Sequence, residues 1–211
     1  MPNNATLINQ TSGKVEYYTP ADIVEAARRV MGAIDLDPAS SPAANATIRA
    51  TTFFTEADDG LARPWFGRVW MNHPFGRNLN RPWVAKLVTE YRAGRVSQAC
   101  CITFAATSEV WFQPLFVFPL CFISPRTNYL LPDGSIKKGV TKGSVVAYLG
   151  DQVGDFATHF GRLGRVMEPS KVGLGYEDGG EGAQAYPKPL ITRRHTSPHV
   201  AKDGKLPQMR Y

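Results

Sequence analysis

The chain has 211 residues, 43% hydrophobic and 20% charged, proportions that exclude a disordered, collagenous or coiled-coil protein and suit one compact domain with an appendage. No run approaches the ~20 apolar residues of a bilayer span. The start MPNNATLINQTSGK lacks both the basic and the apolar part of a secretion signal, so a cytoplasmic protein is expected. The formal net charge of +6 favours a polyanionic partner. Cys100, Cys101 and Cys121 show neither CxxC nor Cys/His spacing and are expected as buried reduced thiols, with no metal site.

Residues 1–14 are polar and aperiodic and are expected as a loose arm, with order beginning at Val15. From Ala21 to Met31 the apolar positions Ile23, Ala26, Ala27 and Val30 recur at helical spacing. Thr19 is expected to cap this helix, Pro20 to fill its first turn and Gly32 to stop it. Ala33–Asp37 alternates like a strand and delivers Pro38-Ala39-Ser40-Ser41-Pro42 as a loop. Residues 43–54 predict a short helix and then a strand.

Arg68–Met71 reads as a further strand, broken by Asn72-His73-Pro74-Phe75-Gly76-Arg77. Trp83–Tyr91 reads as a helix with Val84, Leu87, Val88 and Tyr91 on one face. Ser97–Phe104 predicts a buried strand, Ser108–Phe116 a helix capped by its serine, and Phe118–Ile123 and Ser144–Leu149 later strands. Between the last two, residues 125–143 form a long loop rich in turn formers and basic residues, a length that usually carries function or disorder. A last helix is expected at Val153–Leu163.

The alternation of strand, loop and helix predicts an α/β protein: a mixed, mostly parallel sheet with helices on both faces. The domain is expected over residues 15–168, followed by a Gly/Pro/basic tail over 169–211. In that tail seven Lys and Arg (Lys171, Lys188, Arg193, Arg194, Lys202, Lys205, Arg210) face four acids, a net of +3.

In open α/β sheets ligands gather at the carboxyl ends of strands. Two such ends carry chemistry here, Leu36-Asp37-Pro38-Ala39-Ser40 and Met71-Asn72-His73-Pro74-Phe75-Gly76. An exocyclic ring amine is a poor nucleophile because its lone pair is delocalised. Two acceptors on its N–H groups, the Asn72 side-chain oxygen and the His73 carbonyl, localise that pair and aim it. Pro74 stiffens the segment and biases His73 to extended geometry, and Phe75 offers a face for a base rotated out of a duplex.

Several pieces then occur in order: Tyr18-Thr19-Pro20, Asp35-Leu36-Asp37-Pro38-Ala39-Ser40, Phe53-Phe54-Thr55 with Asp59-Gly60-Leu61, Trp65 to Gly76, and Trp111-Phe112. With them the chain, over about residues 17–150, resembles the phage-type DNA N6-adenine methyltransferases, within the amino-methyltransferases whose motif is Asp/Asn/Ser-Pro-Pro-aromatic. His73 departs from that pattern, standing where the first proline is usual.

The resemblance implies a Rossmann-like class I methyltransferase fold and transfer of a methyl group from S-adenosylmethionine to the N6 amine of adenine in double-stranded DNA, after base flipping. It makes Asn72, His73, Pro74 and Phe75 the catalytic residues and Tyr18, Thr19, Pro20, Asp37, Ala39, Ser40 and Asp59 the cofactor-binding ones. Arg77, Arg81, Arg126, Lys137, Lys138 and Lys142, with Lys86, are the candidate phosphate contacts. Because the motif serves any exocyclic ring amine, cytosine-N4 methylation is an alternative, and the His73 departure leaves an inactive DNA-binding descendant of the fold as another. A domain of this type leaves only loops and tail to read bases, so a very short or relaxed target sequence is expected.

Overall fold

The computed structural model describes residues 17–76, 78–131, 133–137 and 140–169. The proposed arm, residues 170–211 of the proposed tail, Arg77 and Lys138 lie outside them.

Seven strands form one sheet: β1 (Leu36–Asp37), β2 (Thr52–Phe53), β3 (Gly67–Met71), β4 (Val96–Phe104), β5 (Leu120–Ile123), β6 (Ser144–Leu149) and β7 (Gly164–Met167), in the spatial order β2-β1-β3-β4-β6-β5-β7. The pairs β1–β2, β1–β3 and β3–β4 are parallel, whereas β6 opposes both β4 and β5, and β7 opposes β5. Five strands therefore point one way, as expected for a mostly parallel sheet, and only β6 and β7 run against them.

Strand period 2 divides the core between the two faces. Trp70, Cys100, Ile102, Val146 and Tyr148 pack under α1 (Ala21–Met31), α2 (Pro42–Ile48) and α4 (Val153–Phe160). Val69, Met71, Ala99, Cys101, Val145 and Ala147 pack under α3 (Asn80–Arg92) and a short 3-10 turn at Gln113–Val117. Of the stripe that its spacing predicts, Val84, Leu87 and Val88 are buried and Tyr91 is half-buried, and Trp83 joins them in the core. All three cysteines are buried free thiols, and burial pushes each thiol up, Cys121 to about 12.

Two local expectations are corrected. Thr19 does not cap α1: Pro20 takes the cap position without a side-chain bond, and the Thr19 hydroxyl is buried without a hydrogen-bond partner. Ser108–Phe116 is not a helix but a chain of turns ending in the 3-10 turn, because Pro114 lacks an N–H and disfavours helical geometry in the residue before it. Strand β7 was not foreseen. It is a short edge strand whose burial alternates weakly, too brief to leave a clear period in the sequence.

Candidate active site

Since β1 connects to β2 on one side and β3 lies on its other side, the strand order reverses between β1 and β3. Such a reversal is the point where open α/β sheets form a ligand crevice, at the carboxyl ends of the strands. Asp37 ends β1, Asn72 follows β3, and Phe104 ends β4. Because β6 is antiparallel, its first residue Ser144 pairs with Phe104 and brings the 140–144 segment to the same edge.

On the β1 side, Asp37 is completely buried. Its Oδ1 accepts from the Ala39 N–H at 3.2 Å, and its Oδ2 has no partner. Burial pushes the carboxyl up to about 7, with the Ser40 hydroxyl and the Ala39 N–H pulling the other way. The Asp37-Pro38 turn is closed from outside by Gly60, where a Cβ would lie 1.9 Å from the Pro38 carbonyl oxygen. The Gly60 carbonyl in turn accepts from the Trp65 indole at 2.7 Å.

Asp59 stands beside Gly60 with φ 52°, exposed, its Oδ1 accepting from the Leu61 N–H. Ala39 and Ser40 are half-buried, and the Ser40 N–H bonds the Phe54 carbonyl at 2.8 Å. Tyr18 forms a two-way backbone bridge with Leu130, which ties the 17–20 segment to the long loop. The Tyr18 hydroxyl also accepts from Ser41 at 3.3 Å. Half-buried Pro20 follows the buried Thr19 at the start of α1.

On the β3 side, the Asn72 Nδ2 donates to the Tyr17 carbonyl at 2.9 Å. A carbonyl only accepts, so this bond fixes the amide orientation and leaves Oδ1, buried and without a partner, as the free acceptor. His73 is buried, with its Nε2 3.0 Å from the Asn80 Oδ1, and Asn80 donates from Nδ2 to the Gly76 carbonyl at 3.0 Å. Burial lowers the imidazole to about 4, so the ring is neutral. Pro74 is exposed at the turn.

Phe75 lies against Phe104 with ring centroids 4.3 Å apart, against the His73 ring at 5.3 Å and against Tyr129 at 6.1 Å. Tyr129 is itself held by a 3.0 Å bond to Ser144. The Lys142 Nζ sits over the Phe104 ring at 4.9 Å and the Lys137 Nζ over the Tyr17 ring at 5.8 Å, so two cations rim this aromatic wall.

Not every basic candidate reaches this edge. Lys86 pairs with Glu90 at 3.5 Å and lies over Trp65, on the opposite face of the sheet from α1. Arg81 is exposed in the first turn of α3, and Arg126 is exposed in the long loop. Sequence reading passed over Tyr17, Asn80, Phe104 and Tyr129, because an isolated aromatic or amide carries no local signal until the fold sets it beside the motif.

The family model for DNA N-6-adenine-methyltransferase (Dam) matches residues 9–149. The chain belongs to this DNA adenine methyltransferase family. No curated protein matches the chain. The Dam match spans the crevice, the Asn72–Phe75 segment and the long loop. It makes DNA the substrate and the adenine N6 amine the acceptor, and methyltransferases of this kind generally use S-adenosylmethionine. Among the described residues no helix is long and apolar enough to cross a membrane.

Proposed function

We propose that this Dam-family chain transfers a methyl group from S-adenosylmethionine to the N6 amine of an adenine flipped out of double-stranded DNA, with the Asn72–Phe75 segment as the catalytic element. The observation that carries this reading is the Asn72 carboxamide. Its nitrogen is committed to Tyr17, and its oxygen is buried and unpaired, three residues before Phe75 in the chain. Orphaned buried oxygens are costly in a folded chain and call for a donor from outside.

The crevice between β1 and β3 suits the cofactor. Two orphaned acceptors, Asp37 Oδ2 at the end of β1 and Thr19 Oγ1 just before α1, match a ligand rich in ammonium and hydroxyl donors. The Gly60 contact keeps the Asp37-Pro38 turn tight, beside Asp59. Asp37 would hold an ammonium or ribose group, Thr19 and Pro20 with Tyr18 the methionine end, Ala39 and Ser40 the close backbone approach, and Asp59 the adenosine. The bound cofactor supplies an electrophilic methyl on a sulfonium.

The chain's own residues act on the amine. Asn72 Oδ1 accepts one N–H and the His73 carbonyl the other, which returns the nitrogen lone pair from the ring and directs it at the methyl carbon. The lone pair would form the new N–C bond as the bond between that methyl carbon and its sulfur breaks, the pair of electrons staying on the departing neutral thioether, and the methylated amine would then release one proton to water. No base is needed before attack. Phe75, backed by Phe104, stacks on the extruded base.

Lys137 and Lys142 on the aromatic rim, with Arg81 and Arg126, neutralise phosphates. Segment 124–143 is the longest helix-free connection between consecutive strands among the described elements, and one loop of that length reaches few base edges at once, which supports a short or relaxed target. Nucleoside mass spectrometry of plasmid from cells expressing the chain tests this reading. N6-methyladenine is expected with the wild type, and Asn72→Ala should lower its formation by about 10²-fold or more, the usual cost of a lost preorganised transition-state bond. An equally active Asn72→Ala overturns the assignment.

A further inference from the structure

The sequence assigns His73 only a main-chain role, yet its imidazole is one of the most deliberately held groups in the fold. The ring is 1% exposed and contacts the edge of Phe75. Its partner Asn80 is 6% exposed and opens α3. The Asn80 Nδ2 is spent on the Gly76 carbonyl, so the oxygen of that amide faces His73 and the proton between them sits on Nε2. Nδ1 is left buried and bare. A neutral ring with its only N–H committed inward has no proton to offer the reaction, so its work is mechanical.

We propose that His73 and Asn80 form a positioning clasp. The bond from Nε2–H to the Asn80 carboxamide, continued to the Gly76 carbonyl, holds Asn72–Gly76 on the first turn of α3 and sets both the direction of the His73 carbonyl and the plane of Phe75. The clasp provides by side-chain hydrogen bonding the rigidity that a second proline provides covalently. Pro74 alone restrains the backbone of one residue and the geometry of its predecessor. The clasp ties the same five residues to a helix at two points, His73 and Gly76. Both groups are therefore positioning residues, and replacing His73 by the commoner proline costs the clasp its donor.

This inference rests on the reading of Asn72 as the amine-holding residue, and the experiment separates the two. Methyl transfer is measured with the full-length chain under saturating DNA and cofactor, well below each variant's melting temperature, together with cofactor affinity by calorimetry. His73→Leu and Asn80→Leu are each expected to lower kcat by about 10- to 100-fold, the scale on which a misplacement near 1 Å acts, with cofactor Kd unchanged. His73→Gln, whose amide nitrogen stands close to the Nε2 position, recovers most of the loss seen with Leu.

The double variant His73→Leu/Asn80→Leu leaves no orphaned partner, so its melting temperature returns towards wild type. Its kcat stays as low as that of the slower single variant. A stable double variant with wild-type kcat overturns the clasp, and so does a His73→Gln no faster than His73→Leu. His73→Pro that folds and matches wild-type kcat overturns it as well. If these variants are fast while Asn72→Ala is dead, the clasp fails and the catalytic reading stands. If Asn72→Ala is fully active, the catalytic reading itself fails.

Discussion

Asp35 and Asp37 flank Leu36 on the same short stretch of chain and occupy opposite electrostatic situations. Asp35, on the amino side, accepts from Arg68 three times: from Nε at 2.8 Å, from Nη2 at 2.7 Å and from the backbone N–H at 2.8 Å. That guanidinium holds its carboxyl below the usual carboxylate range. Asp37, on the carboxyl side, is buried with one oxygen unpaired and is pushed up to about 7. The contrast extends along the sheet. The carboxyl edge carries the unpaired oxygens of Asp37 and Asn72 and the bare Nδ1 of His73, while the Asp35–Arg68 pair closes the other end of β1 and β3. One edge is finished by the protein, and the other, under the proposed function, is the one left for ligands to complete.

The sharpest way to break this contrast is to neutralise Asp37. Asp37→Asn is expected to weaken S-adenosylmethionine binding by about 10- to 100-fold, the worth of a hydrogen bond to a charged group, as read by calorimetry. The same variant changes the pH dependence of the free protein in a defined direction. Because the folded carboxyl is raised from 3.8 to about 7, the folded chain keeps a proton in that window that the unfolded chain has released. This group therefore makes stability fall as pH rises through the window, and the loss is complete above the folded value. Thermal melts of Asp37→Asn should show a shallower decline from pH 5 to pH 8 than the wild type. An identical slope would show that Asp37 is already ionised and paired.

Phe75→Ala removes the stacking face and should weaken productive capture of the base by ~1–3 kcal/mol, seen as a raised KM for DNA with cofactor affinity intact. Lys137→Ala and Lys142→Ala should each reduce the slope of log affinity against log salt by about 1 while leaving the methylated sequence unchanged. Direct binding measurements across a salt series, with sequencing of methylated DNA, check this pair. At the finished end, Asp35→Asn should cost only about 1 kcal/mol of stability, because the pair is about one-third exposed and screened, and should leave kcat unaltered. A large loss of activity in Asp35→Asn would erase the division between the two edges.

The sequence by itself determined the elements whose signal is local. Helix α1 follows from Ile23, Ala26, Ala27 and Val30 at helical spacing, and α3 from its stripe of Val84, Leu87 and Val88, since amphipathic periodicity directly encodes which side meets a core. Strands β3, β4 and β6 were legible as short apolar runs, and the Asn72–Phe75 segment as a polar interruption at a strand end. The tertiary structure decided what depends on which chain segments become neighbours. Strand order put Asp37 and Asn72 at the carboxyl ends of the neighbouring strands β1 and β3, and the antiparallel β6 carried Ser144 and Lys142 to the same edge. The bonds that give the site its character run between residues 55 apart for Asn72 and Tyr17, and between a loop and a helix for His73 and Asn80. A hydrogen-bond partner is a property of three-dimensional position, and neither an asparagine at a helix start nor a histidine after a strand carries a periodicity that would name it.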